Sequence, residues 1–437
     1  MRTSKALFQA LLLLALSAAV VPLAAEEPPD YYTAGFFTRS ERAGFYLDTG
    51  DPAYDLFYVP VRRVSLLPRA TLTASREDNL FLSGLEAERG TVVRFVPGVT
   101  VLWGRPERSH LFADAGVSIH VYDSTDGRLE RTPSLLLGAG GVWVTQKSQV
   151  TARGGFRRLE DLDTLVGARI VKRDYTANLG LDHRISGKTS MGVLGSFERH
   201  DYEAAGYVDY DRLYGAARLY TDISRRSQVF LQGGLGRDDL DTGSGGFGDA
   251  VFADASVGIR GKPSPKTSAT GRAGYQWRTY PNDDIADVRR WIASLYASVN
   301  PFGFTTFGSE LLADVRPAIQ SAGHVAIDQR WTGSVTRRLF TERLRGHASI
   351  FLGRIDYRGP GRASNLRDPD YTPAFDGRVD DYWGYTLGID WWARYNLSCG
   401  LSYSYVDNDA ARGGDPLTRR ASAYDSGRWM LRLSWNY

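Results

Sequence analysis

Apolar and polar residues alternate with a period of two along most of this chain. Leu111, Ala113, Ala115, Val117, Ile119 and Val121 oppose Phe112, Asp114, Gly116, Ser118, His120 and Tyr122. Ala269, Gly271, Ala273, Tyr275 and Trp277 oppose Thr270, Arg272, Gly274, Gln276 and Arg278, and similar runs lie at 177–182 and 385–392. A period of two is that of a strand, with alternate side chains on opposite faces. About eighteen such segments (16–18), each roughly 10–14 residues long, are predicted between Ala70 and Tyr437. The last carries Trp429, Leu431, Leu433, Trp435 and Tyr437 on one face, with Arg428, Met430, Arg432, Ser434 and Asn436 between them. A soluble sheet with so apolar an edge invites aggregation, whereas in a closed membrane barrel that edge is paired and its apolar face meets lipid.

The links support the same reading. Tight turns are predicted at 146–147, 184–187, 224–226, 262–265 and 300–303, alternating with longer polar links at 123–130, 201–206, 238–246, 281–285 and 359–378. Short periplasmic turns and long outer loops are the asymmetry of an outer-membrane barrel, and an even strand count puts both chain ends on the same side. The expected fold is therefore all-β, a transmembrane antiparallel up-and-down β-barrel of about 18 strands in the bacterial cell outer membrane. Its partners would include outer-membrane lipid, and the tail would be read as an assembly signal by the barrel-assembly machinery.

The amino-terminal stretch differs. Arg2 and Lys5, the apolar run 11–21 and the small residues Ala24 and Ala25 predict a signal peptide over 1–25. Prolines and aromatic residues punctuate 26–67, read as a periplasmic segment that either leads into the barrel or plugs it; the barrel is assigned to 68–437. No later run approaches the ~20 apolar residues of a spanning helix.

Composition narrows the class. Aromatic residues make up 12% of the chain, with 24 Tyr and 10 Trp, side chains that suit a membrane–water interface. A net charge of +3 is too small to argue for a polyanion, and the basic residues are dispersed, so no nucleic-acid partner is expected. Cys399 is the only cysteine, so no disulfide framework or cysteine metal site is expected.

On a lipid face a mid-bilayer Arg costs ~2–4 kcal/mol, so charged residues in these strands should point inward. Asp114, Arg153, Arg157, Arg218, Arg272, Arg278, Arg345, Asp390, Arg394, Arg428 and Arg432 are the pore-lining candidates. A barrel of ~16–18 strands normally leaves an aqueous channel, although the same charges could fill and stiffen a closed interior.

Two short motifs suggest a family. Arg76-Glu77-Asp78-Asn79-Leu80-Phe81 resembles the Arg-x-Asp-Asn-aliphatic-aromatic stretch of the beta-barrel porin type 2 family, and Pro97-Gly98-Val99 resembles its recurrent Pro-Gly pair. The resemblance covers about 68–437. It implies an outer-membrane barrel tied to exopolysaccharide production or export, with polysaccharide-export components as partners, and it supplies no catalytic residues. Asp78 and Asn79 suit a turn in the first outer loop.

Enzymatic chemistry has little footing. None of the six His has the i, i+4 spacing of a zinc helix motif, and 243–245 is a glycine cluster rather than a nucleophile elbow. A Ser–His–acid triad assembles in space, and sequence does not decide it. Asp238, Asp239 and Asp241, and 282–287 beyond them, could offer oxygen ligands to Ca²⁺, but solvated outer loops explain them better. No cofactor, metal or catalytic residue is predicted. The expected function is a porin-like passive conduit possessing a link to exopolysaccharide export. A scaffold barrel that recruits such machinery through 26–67 is the alternative, and a barrel hydrolase is a third.

Overall fold

In the computed structural model the described residues are 64–79, 89–104, 109–124, 129–163, 168–203, 207–241, 249–281, 287–318, 325–358, 377–394, 396–412 and 423–436. The signal peptide, most of the 26–67 segment, Leu80, Phe81 and Tyr437 lie outside them. Eighteen strands follow one another in chain order. They are Val64–Glu77 (β1), Gly90–Gly104 (β2), His110–Ser124 (β3), Leu129–Val144 (β4), Ser148–Asp163 (β5) and Ala168–Arg184 (β6). Next come Thr189–Tyr202 (β7), Asp209–Ser224 (β8), Ser227–Asp241 (β9), Ala250–Ser264 (β10), Thr267–Thr279 (β11) and Val288–Val299 (β12). The last are Thr305–Pro317 (β13), Val325–Arg338 (β14), Leu344–Arg358 (β15), Val379–Arg394 (β16), Leu397–Arg412 (β17) and Tyr424–Asn436 (β18).

Each strand pairs antiparallel with its sequence neighbours, and β1 pairs with β18 from Arg69↔Asn436 to Glu77↔Arg428. The sheet is thereby a closed up-and-down barrel. The first strand begins at Val64, not after Pro68. The alternation continues through Val64 and Leu66, both exposed. Pro68 is tolerated because pairing with β18 begins only at Arg69, so the missing N–H falls beside an end of the ladder. Asp78 and Asn79 extend the closure instead of forming a free loop. Asp78 N donates to Gly427 O at 3.0 Å, and Asn79 Nδ2 donates to Asp425 O at 3.2 Å.

Links at one end are short, as at 145–147, 225–226, 265–266 and 395–396; the longest at the other are 78–89, 359–378 and 413–423. By this asymmetry the first end is periplasmic and the second faces outward. The predicted acidic loop at 238–246 starts too early. Asp238, Asp239 and Asp241 are the end of β9, and alternation sends Asp238 inward and Asp239 outward, so they cannot share an ion.

Outward rows are apolar around the circumference. Leu179, Leu213, Leu231, Leu235, Val257, Leu387, Leu401 and Leu431 are all exposed, as no water-facing wall would be. Trp143, Trp291, Trp391 and Trp429 lie on the same surface.

The wall is not uniform at its outer end. The β12–β13 ladder runs only from Val299↔Phe307 to Ala293↔Ala313. Beyond it β12 continues on β11 alone and β13 on β14 alone. Val315, Val325 and Ile327 continue the outward rows of Phe307 and Trp331, yet are nearly inaccessible. They form one cluster with Val208, Leu240, Ala250, Tyr280 and Ile292, which lie on the inner side of β8–β12. The outer ends of β13 and β14 therefore pass inside β12, with their outer face against the inner wall. Their other face carries Ala318 and Ala326 against Ile355, Tyr357 and Tyr382.

Leu387→Arg, on the lipid-facing row of β16, is expected to lower unfolding free energy in detergent by about 2–4 kcal/mol. Thr386→Arg, one residue away and turned inward, should cost far less; denaturant titration followed by tryptophan fluorescence distinguishes the two.

Candidate functional site: the charged lumen

Alternation places polar residues of all quarters of the barrel on its inner side, where neighbouring strands bring opposite charges together. Near the periplasmic end Arg69 on β1 reaches across β2. Its Nη1 donates to Asp114 Oδ1 and Thr100 Oγ1, both at 2.6 Å, and its Nη2 donates to Asp114 Oδ2 at 2.9 Å. A two-pronged guanidinium–carboxylate pair of this kind fixes direction as well as charge. Gly98 lies beneath it: a Cβ there would stand 3.2 Å from Arg69 Nε and 3.0 Å from Ala115 O. The glycine of the Pro97-Gly98 pair thus makes room for the arginine.

On the other flank of β1, Arg432 Nη2 donates to Asp390 Oδ1 at 2.7 Å, and His347 Nδ1 lies 3.2 Å from Asp390 Oδ2. On the β8–β11 wall Arg260 stacks over Tyr220 with its guanidinium carbon 3.8 Å from the ring centre. Arg218 Nε donates to Gln232 Oε1 at 2.5 Å and lies over Phe230. Gln232 Nε2 donates to Tyr214 Oη, which donates to Asp254 at 2.8 Å.

A second belt lies toward the outer mouth. Arg157 Nη2 donates to Asp174 Oδ2 at 3.0 Å, and His200 Nδ1 is 2.7 Å from Asp174 Oδ1. Asp238, fully buried, is held by Arg212 at 2.7 Å and Arg278 at 2.6 Å. Both guanidinium groups lie over Phe252. Arg316, on the inturned end of β13, lies 3.7 Å from Asp328, which accepts a 2.9 Å hydrogen bond from Tyr382 Oη. Arg378 and Asp380 form a buried pair, with the guanidinium over Tyr357.

The eleven sequence candidates fall in several environments. Asp114, Arg157, Arg278, Asp390 and Arg432 are members of the ion pairs just described. Arg218 is hydrogen-bonded and ring-stacked. Arg345 lies over Trp392, its guanidinium carbon 4.5 Å from the ring centre. Arg153 and Arg272 share the inward rows of Arg157 and Arg278. Arg428 approaches Glu77 at 3.9 Å beside the closure. Arg394 is exposed at the periplasmic end of β16, next to a register irregularity. In the tail, Trp429, Leu431, Leu433 and Trp435 form an exposed outward row.

Arg69, Asp174, His200, Arg212, Arg260, Arg316, Asp328, Arg378 and Asp380 are not among the eleven, and Asp238, expected in a solvated outer loop, joins them in the lumen. Inward parity within each strand was the available signal. Ser118 and His120 come within 2.7 Å on the inner row of β3, but Arg94 Nε donates to the same Ser118 oxygen, and both residues are buried. That pair is packed in, with no open approach to its oxygen.

An apolar outer surface, a closed ladder and a charged interior together decide the class. The chain is an outer-membrane β-barrel. No protein-family model matches it, and no curated protein matches it. Among solved structures it is similar to OccK7 (OpdD) of Pseudomonas aeruginosa, at 11% identity over 86% of this chain and 99% of that one, with a TM-score of 0.45. OccAB4 of Acinetobacter baumannii gives 12% identity over 87% and 100%, with a TM-score of 0.46. A BenF-like porin from Pseudomonas fluorescens Pf-5 gives 11% over 85% and 99%, at 0.45. The fold rests on the strand register itself and not on these likenesses.

Asp238→Ala would leave two guanidinium groups buried without their carboxylate, and about 3–5 kcal/mol of stability should be lost. Arg354→Ala, which breaks an exposed pair with Asp381 on the outer surface, should change stability by less than about 1 kcal/mol in the same chemical-denaturation assay.

Proposed function

We propose that this protein is a passive channel for small polar solutes across the outer membrane. The observation that carries the reading is the division of charge: ion pairs and arginines line the inner rows, while the outer rows are hydrocarbon. Eighteen strands are enough to surround an aqueous path. Arginines concentrate on the β8–β11 wall, where Arg212, Arg218, Arg260, Arg272 and Arg278 share the inner face. They form a positively charged side against which a polar solute would orient. The inturned ends of β13 and β14 narrow the outer mouth, which favours small solutes over polymers.

Membership of the beta-barrel porin type 2 family is supported by the short motifs at 76–81 and 97–98. The link to exopolysaccharide export follows from that resemblance alone, and a path narrowed by strand ends argues against threading a polysaccharide. We also infer that the outward row Trp429, Leu431, Leu433 and Trp435 is the surface recognised by the barrel-assembly machinery.

Purified protein refolded into a planar bilayer should give discrete conductance steps. Arg218→Glu and Arg272→Glu should each move the reversal potential in a salt gradient toward cation preference. A correctly folded barrel, shown by a cold-versus-boiled gel shift, that passes no current at any salt concentration would remove this reading.

A further inference from the structure

The outer halves of β12 and β13 are built for a pairing that they do not make here. Extending the ladder beyond Ala293↔Ala313 in the same register would set Ile292 opposite Asp314, Trp291 opposite Val315 and Arg290 opposite Arg316. In that arrangement Val315, Val325 and Ile327 would face outward beside Trp291, in line with Phe307, Leu311 and Trp331. Asp314, Arg316 and Asp328 would face the lumen. The alternation of these strand ends is thus that of a lipid-facing wall, and their apolar row suits either surroundings.

In the arrangement observed, the same row is buried against the inner wall. Val315 and Val325 are each 1% exposed, while Trp291, on the strand edge they have left, is 75% exposed. Edge backbone groups at 288–292 have no β13 partner. Arg316 stands 3.6 Å from Asp314 and 3.7 Å from Asp328, and the apolar cluster that holds Val315 includes Val208, with Tyr210 of β8 packed against it. The inturned edge therefore reaches along the inner wall from the β12 position to β8. Full pairing would bring Arg290 and Arg316 face to face on the inner side, and like charges directly opposite each other disfavour a strand pair.

The geometry points to the outer ends of β13 and β14 being a displaceable flap. In one state it is tucked beneath β12 and narrows the outer mouth. In the other it is zipped onto 288–292 and no longer narrows the mouth. Burial of three aliphatic side chains and the Arg316–Asp328 contact favour the tucked state, and a restored stretch of backbone ladder favours the zipped one. The repulsion between Arg290 and Arg316 biases the balance toward closure. An anion lodged between these two guanidinium groups would reverse the bias, so the flap is a point at which an anionic solute could open its own path. This gating role rests on the channel reading; the strand exchange does not.

Cysteines at 291 and 315 test the exchange. In a Cys399→Ser background, Trp291→Cys with Val315→Cys should form a disulfide under mild oxidation, because directly opposed antiparallel residues lie within disulfide range. Oxidation should raise single-channel conductance severalfold, and reduction should restore the original level. Arg290→Glu alone, at an exposed position, should raise the open fraction and speed the disulfide's formation when combined with the two cysteines. The flap is overturned if the folded double-cysteine barrel forms no disulfide. Its gating role is overturned if the disulfide forms and an already conducting pore keeps its conductance. Should neither redox state conduct, the channel reading fails, and disulfide formation alone decides whether the strands exchange. If the cysteine pair prevents folding, Arg290→Glu carries the test, and an unchanged open fraction counts against the proposal.

Discussion

A hydrocarbon surround offers no hydrogen bonds, so every backbone N–H and C=O at that depth must find its partner within the protein. The pairing of β1 with β18 is what meets this demand, because without it two strand edges would face lipid along their whole length. Much of the local chemistry at that join serves it. Asp78 N and the Asn79 amide bind carbonyls of β18 beyond the last ladder pair, and Arg428 reaches toward Glu77 on the inner side. The Asp-Asn pair that looks like a turn signal in sequence is a clasp in the fold.

The same demand explains where a break in the wall is tolerated. The β12 edge left unpaired by β13 is at 288–292, next to the outer links and not at mid-depth. Water and headgroups can satisfy backbone groups there, as they cannot nearer the centre. Trp277 and Trp291, with Tyr275 between them in edge-on contact with both, cluster on the outer surface beside this gap. Such rings belong at the headgroup level.

The fold was legible in the chain because the barrel's two environments alternate with the strand period. Leu111 to Val121 and Trp429 to Trp435 need no tertiary knowledge to be assigned one face. The strand start at Val64 is hidden in sequence because Pro68 reads as a stop, and only the offset between β1 and β18 shows that it need not be one. Asp238 looks like loop in sequence because three acids near glycines suit a solvated link. Its partners, Arg212 and Arg278, come from β8 and β11, and the latter is some forty positions downstream. Parity tells which side a charge faces, but not which charge it meets, since that depends on registers several strands apart. The inturned end of β13 was invisible for a different reason: its pattern is the ordinary outward pattern, and only tertiary packing puts that face inside.

The interior charges also bear on whether the lumen is a path or a filling. A barrel packed solid would be expected to match its charges and exclude water from them. Here the matched pairs are concentrated in two belts, with Arg69–Asp114 and Arg432–Asp390 below and Asp238 and Asp174 above. Each partner in these pairs is reached from an adjacent or next-adjacent strand, or from one further along the same wall, so they brace the wall along its circumference rather than tie opposite walls together. The contacts that do cross the mouth involve the inturned strand ends, around Arg316. The wall is thus stiffened independently of what occupies its centre, and narrowing is delegated to an element held by side-chain packing and a few charges, with one edge free of the ladder. A constriction attached in that way can be altered without breaking the closed ladder on which the barrel's existence depends.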